Sequence, residues 1–231
     1  MSPKAAILAS EQDSALAGLP QATEAADADV VFALGDEPLP DGVDPHRCVR
    51  WLEGAAAEGQ PVRTIAQAGS GAWRRAPWPA RDDLFALPPA PAGGALVVSE
   101  SDERRELLVR LISERGLAAA AAPRLTLDRL RQTAVVVFPT APGEPLPAAG
   151  PAVLAARRLL VTGPCDPSFG LIPDVDWFRA QDRGDLAQYV DTMLRHPQAF
   201  RTARALGARA AERHRASTVY ERLAVDLELE G

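Results

Sequence analysis

The chain has 231 residues, 47% hydrophobic and 24% charged, with a formal net charge of −6. This length buries a sizeable core in one large or two small domains. The acidic balance, with no basic stripe interleaved with aromatics, excludes nucleic acid as a principal partner. No apolar run approaches the roughly 18 residues of a membrane span. MSPKAAILAS at the start has too short an apolar core for a signal peptide, so the expected location is cytoplasmic. Cys48 and Cys165 are too few and too far apart for a zinc site or a disulfide framework, and each reads as a small buried thiol. Lysine occurs only at Lys4 while arginine and alanine abound, a GC-rich bacterial coding bias and not a binding signature.

In chain order, KAAILA from Lys4 to Ala9 reads as a first strand. ADVVFAL from Ala28 to Leu34 is a clearer second one, ending in the turn-rich Gly35-Asp36-Glu37-Pro38. The spacing of Cys48, Val49, Leu52 and Ala56 predicts a helix from Pro45 to Glu58, stopped by Gly59. PVRTIA from Pro61 to Ala66 then reads as a third short strand. Residues 68–94 are dominated by proline, glycine and alanine, which predicts an irregular, partly extended linker. Trp73, Trp78 and Phe85 are its large anchors, and packing is the expected role of the tryptophans.

ALVVS from Ala95 to Ser99 opens a second domain as a strand. Ser101 caps a helix with Asp102 and Glu103 in its first turn, a buried stripe of Leu107, Leu108, Leu111 and Ile112, and a stop at Gly116. Leu125 to Arg131 is a short helix. Val135 to Phe138 and Leu159 to Thr162 are continuous apolar runs, the mark of strands buried on both faces. A Pro/Gly-rich loop and an alanine-rich helix of about ten residues lie between them. Together these make a βαβ crossover in a parallel sheet, whose ligands bind at the carboxyl ends of the strands. Function is therefore expected in the loops starting at Pro139 and Gly163. Asp182 caps a helix with Leu186, Tyr189, Val190, Met193 and Leu194 on one face. His196-Pro197 ends it and starts another that runs to about Arg215, and Ser217 caps a last one.

The central segment resembles the C-terminal half of a retaining GT-B glycosyltransferase of the group that includes the spore-maturation-like enzymes. The phrases that carry the likeness are APGEPLPAAGPAVLAARR followed by LLVTGP, ERRELLVRLISERG, and DLAQYVDTMLRHPQAFRTARALGARAAERHRASTVYERL, within residues 95–228. In that family a loop glutamate contacts the transferred sugar, and a second one, after seven intervening residues, opens a helix and holds the ribose of the nucleotide. Glu144 matches the first position and Ala152 stands at the second. The resemblance implies that the turn at Ser99 and Ser101, with Arg104 and Arg105 on the following helix, would cradle the donor diphosphate on backbone N–H groups. Glu100, Asp102 and Glu103 bring negative charge to that turn. The loop holding Asp166, Ser168 and Gly170 would line the donor cleft.

The residues show no nucleophile with a paired base, no Gly-x-Gly-x-x-Gly or Walker loop, and no histidine or cysteine cluster with metal spacing. His46, His196 and His214 fall at helix ends. No metal or cofactor is therefore expected. The predicted organisation is a reduced α/β domain at 1–67, a linker at 68–94 and a Rossmann-like domain with a helical tail at 95–231, together a GT-B-like α/β fold. Two functions stay open. One is a diverged glycosyltransferase that still binds a nucleotide sugar. The other is an inactive descendant serving as a scaffold, whose partner is another protein or a second copy of the chain.

Overall fold

The computed structural model describes residues 5–8, 28, 30–34, 44–52, 63–66, 72, 74–75, 77–88, 93–166 and 169–230. The chain forms two compact units, residues 1–82 with 213–231, and residues 83–212. The division between 82 and 83 falls within the segment 68–94 expected as a linker, and the last helix groups with the first unit. Among the described residues no helix is long and apolar enough to cross a membrane.

Among its described residues the first unit forms five parallel strands, β1 (Ala5–Leu8), β2 (Val30–Leu34), β3 (Cys48–Trp51), β4 (Arg63–Ala66) and β5 (Arg74–Arg75), ordered as they occur in the chain. The expected helix at Pro45 to Glu58 is corrected here. Pro45–Arg47 is one 3-10 turn, and Cys48–Trp51 is a strand between β2 and β4. Its apolar residues satisfy a helical spacing, yet the run is short, and both neighbours offer it a backbone ladder. Residues 53–60 lie outside the described residues, as do the turn at 35–38 and Trp73. The predicted linker contributes β5, and it buries Trp78, Ala80 and Leu84 at 7% exposure or less.

The last helix, Ala216–Glu230, returns to this unit. The Tyr220 ring lies 4.6 Å from Phe32, tilted at 46°, and meets Trp51 edge-on at 6.2 Å. Burial raises the pKa of its hydroxyl. Ser217 does not cap this helix. Its backbone N–H donates to the Asp82 carboxylate at 3.2 Å, which places a negative charge at the positive helix end.

The second unit runs β6 (Ala95–Val98), α1 (Asp102–Ser113), β7 (Ala119–Ala122), α2 (Leu127–Gln132), β8 (Val135–Phe138), α3 (Gly150–Ala155), β9 (Leu159–Thr162), β10 (Phe178–Arg179), α4 (Arg183–Arg195) and α5 (Arg201–Ala211). All five strands are parallel, in the order β10-β9-β8-β6-β7. The apolar runs of β6, β8 and β9 are buried throughout. Val97, Val137 and Val161 pack on Leu108 and Ile112 of α1 and on Leu186, Val190 and Met193 of α4. The alternate residues Leu96, Val136 and Leu160 are equally buried. Helix α3 is six residues long, shorter than expected, and it packs against α5 where Gly207 lacks a side chain. A Cβ there would lie 2.7 Å from the Asp176 carbonyl and 3.0 Å from Leu154.

Chain order reverses at one place in this sheet, because β6 lies between β7 and β8. The loops after β6 and β8 diverge at that point and open a crevice at the carboxyl edge. The described strands of the first unit are ordered without a reversal. The candidate site lies on the second unit, at this reversal.

Candidate functional site

Two loops meet at the crevice. After β6, the Ser99 hydroxyl accepts from the Ser101 backbone N–H at 3.2 Å, and the Ser101 hydroxyl accepts from Arg104 N–H at 3.3 Å, capping α1. After β8, Ala141-Pro142-Gly143-Glu144 forms a tight turn closed by Glu144 N–H donating to the Ala141 carbonyl at 3.1 Å. Pro142 sets its first central position and Gly143, at φ 82°, the second, the pairing a type II turn requires. The turn folds the Glu144 side chain back, so that a carboxylate oxygen accepts from Ala141 N–H at 2.8 Å.

Arg104 spans the two loops. Its Nη1 donates to both Glu144 oxygens, at 3.0 and 3.3 Å, and to the Pro139 carbonyl at 3.3 Å. Both side chains are more than a third exposed (37% and 41%), so the pair is worth at most about 1 kcal/mol. An incoming anion can open it at little cost.

Beneath the pair lies a cavity of about 480 Å³, with Arg104, Thr140, Pro164 and Arg183 in its wall and Leu108 and Leu186 at its apolar side. The N-terminus of α4 lines it through Asp182, Arg183 and Gly184, and α1 contributes Arg104 and Leu108. Asp182 caps α4 by accepting from Asp185 N–H at 2.9 Å. The wall thus sets two guanidiniums against the one Asp182 carboxylate, with an apolar side at the leucines.

The expected site residues divide clearly. Arg104 lines the cavity, while Ser99, Ser101 and Glu144 stand outside its wall and join it through hydrogen bonds, Ser99 to Ser101, Ser101 to the Arg104 N–H and Glu144 to the Arg104 guanidinium. Arg105 turns back onto its own loop, bonded to the Asp102 carboxylate and the Ser99 carbonyl. Asp166 touches the site through its backbone alone, its N–H donating to the Glu144 carbonyl at 2.9 Å, and its side chain is exposed. Gly170, at φ 71°, is exposed and absent from the cavity wall. Ser168 lies outside the described residues. Ala152 is buried inside α3 at 3% exposure, so the position offers no side chain to a ligand.

Sequence reasoning missed Arg183. The signal available was its place just after the capping Asp182, at a helix N-terminus on the carboxyl edge. Cys165 is a free thiol buried at 4% exposure. Burial pushes its thiol up, against the opposing hydrogen bond with the Thr162 hydroxyl at 3.4 Å. Among the described residues no group of three His, Cys, Asp or Glu side chains is placed to hold a metal ion.

No family model matches this sequence, and no curated protein does. Solved structures do match. A glycosyltransferase from Rickettsia africae superposes with a TM-score of 0.56 at 7% identity, over 89% of this chain and 77% of that one. AviGT4, a glycosyltransferase involved in avilamycin A biosynthesis, gives 0.55 at 15% identity, over 87% and 73%. HepE of Anabaena, solved in complex with UDP, gives 0.54 at 11% identity, over 88% and 79%. At such identities the likeness is one of fold. The chain has the α/β architecture of the GT-B glycosyltransferases, two parallel sheets with C-terminal helices.

Proposed function

We propose that the second unit binds a nucleotide-diphosphate sugar in the crevice between the loops after β6 and β8, as a diverged glycosyltransferase of the spore-maturation-like group. The observation that carries this reading is the 480 Å³ cavity at the reversal of strand order, with Arg104 in its wall and Glu144 held 3.0 Å away. Arg104 and Arg183 take the diphosphate, helped by the N–H groups that open α1 and α4. Glu144, released from Arg104 as the diphosphate arrives, faces the sugar. If a glycosyl group is transferred, the two arginines stabilise the charge that gathers on the leaving diphosphate. HepE, of the same fold, was solved with UDP, which supports the choice of a nucleotide diphosphate.

A second reading is favoured by a separate observation. The position matching the ribose-holding carboxylate is a buried alanine, Ala152. Without a ribose anchor the fold serves as a scaffold, engaging another protein or a second copy of the chain.

Calorimetry and thermal shift against UDP-, GDP-, dTDP- and ADP-sugars separate the two. A ligand at a hundred times its Kd stabilises the fold by about 2.7 kcal/mol, an easily read shift. Arg104→Ala is expected to weaken a binding nucleotide roughly ten-fold or more, the scale of a lost charge-assisted hydrogen bond. Glu144→Ala is expected to weaken the nucleotide sugar while sparing the parent nucleoside diphosphate. Equal affinity of wild type and Glu144→Ala for the sugar nucleotide removes Glu144 from the site. No binding by any of the four sugars leaves the scaffold reading, which light scattering of the intact chain then tests.

A further inference from the structure

The edge of the second sheet opposite the crevice holds a larger cavity, of about 1200 Å³, between the amino ends of the strands and one face of α5. Arg201, Arg204, Ala205, Ala208, Arg209 and Glu212 line it. They recur at steps of three, one, three, one and three, which is a single helical stripe. The two alanines leave room between the guanidiniums. Arg157 adds a fourth from the turn after α3, in the left-handed region at φ 56°, a conformation that non-glycine residues adopt at a cost. Glu212 is the one carboxylate among the described residues of the wall. Four guanidiniums thus face one carboxylate inside a chain whose net charge is −6.

The positive charge is also poorly neutralised from within. Arg157, Arg201 and Arg209 make no side-chain hydrogen bond or ion pair with described residues. Arg204 donates through Nη1 to the Pro197 carbonyl at 2.9 Å, and its buried Nε has no partner. Behind it lies Arg158, buried at 2% exposure and bonded only to carbonyls. Burial lowers the pKa of Arg204. Burial, and then the charge of Arg204, lower that of Arg158. The two cations therefore repel each other in partly dry surroundings, and Glu212 is the one carboxylate among the described residues of the cavity wall.

We propose that this cavity is a binding site for a small polyanion carrying at least two phosphate groups, held by Arg157, Arg201, Arg204 and Arg209. Planar guanidinium forks match phosphate oxygens in pairs, and four of them less one carboxylate leave three positive charges for the ligand to neutralise. A long polyanion is disfavoured because the chain as a whole is acidic and Phe85 is the one aromatic residue in the described wall. The site is separate from the crevice and does not depend on the nucleotide-sugar reading.

The test is calorimetry of the intact chain with inorganic tripolyphosphate, and with pyrophosphate beside it, at low and moderate salt. Tripolyphosphate is expected to bind with a Kd that rises with salt. Arg201→Ala with Arg209→Ala is expected to weaken it roughly ten-fold or more, while Arg110→Ala, at an exposed arginine outside both cavities, leaves it unchanged. Both substituted arginines are exposed, so the fold is expected to survive, which far-UV circular dichroism checks. Arg157→Ala, off the helix, provides an independent variant with the same expected direction. Absence of heat at roughly millimolar tripolyphosphate, or binding abolished by Arg104→Ala and untouched by Arg201→Ala with Arg209→Ala, overturns the proposal.

Discussion

Arg158→Met is expected to lower the stability of the second unit by about 3 kcal/mol, seen as a fall of roughly 6–12 °C in the Tm of its transition. Arg158 follows the end of α3 and is 2% exposed. Its guanidinium donates to the carbonyls of Leu130 at 3.0 Å, Arg131 at 3.2 Å, Ala156 at 2.8 Å and Pro88 at 3.0 Å. The first two belong to the last turn of α2, and Ala156 closes α3, so one cation satisfies the orphan carbonyls of two short helices. Burying an unpaired charge costs several kcal/mol, which methionine would recover. The substitution also strands up to four buried acceptors at about 1–3 kcal/mol each, and that loss is the larger. Arg158→Lys keeps the charge but not the fork, and is expected to fall between the two. Calorimetry of the three proteins decides it, and a methionine variant melting within about 2 °C of wild type would show that the carbonyls find other partners.

The second large effect is expected at Gly163, where the loops after β8 and β9 cross. Gly163 N–H donates to the Phe138 carbonyl at 2.9 Å. A Cβ added here would stand 2.1 Å from the Thr140 carbonyl oxygen and 3.1 Å from the Thr140 backbone carbon and nitrogen. Those atoms are backbone and cannot rotate aside as a side chain does. Gly163→Ala must therefore part the loops, at about 2–3 kcal/mol, the range of an overpacked core. Thr140 lines the crevice cavity, so the change should also abolish any nucleotide-dependent thermal shift at temperatures where the variant stays folded. Gly116→Ala is the control. Gly116 has φ 73° with open space around it, so alanine there bears only a conformational cost of about 1–2 kcal/mol and leaves the crevice intact. If Gly163→Ala is no more destabilising than Gly116→Ala, the close approach of the loops is not maintained in solution.

The elements differ in how far they could be read from their residues. Val135–Phe138 and Leu159–Thr162 were legible as buried strands because they are apolar at every position, which suits strands covered on both faces. Helix α4 was legible because Leu186, Val190 and Met193 keep the helical period and Asp182 stands at its cap. Cys48–Trp51 was not, since its apolar spacing fits a helix and a short strand alike, and pairing with β2 and β4 settles the choice. Ala119–Ala122 gave no strand signal at all. Alanine favours helices, and the segment is extended because β6 offers it four aligned residues.

The site divides in the same way. The Pro-Gly turn that presents Glu144, the Ser101 cap beside Arg104 and the position of both loops at the carboxyl edge follow from local chemistry, which neighbours in the chain decide. Arg104 and Glu144 are 40 residues apart, and they meet only because β6 and β8 are adjacent in the sheet. The Asp82 cap on the last helix reaches across 135 residues, and the arginine stripe of α5 becomes a cavity wall only when that helix covers the amino edge. Residue identity thus determined the periods, caps and turns, since these are set by backbone conformation and burial within a few residues. Which loops meet, which charges pair and which cations are left without a carboxylate were decided by the tertiary structure. Such contacts depend on strand order and helix placement, which no local pattern encodes.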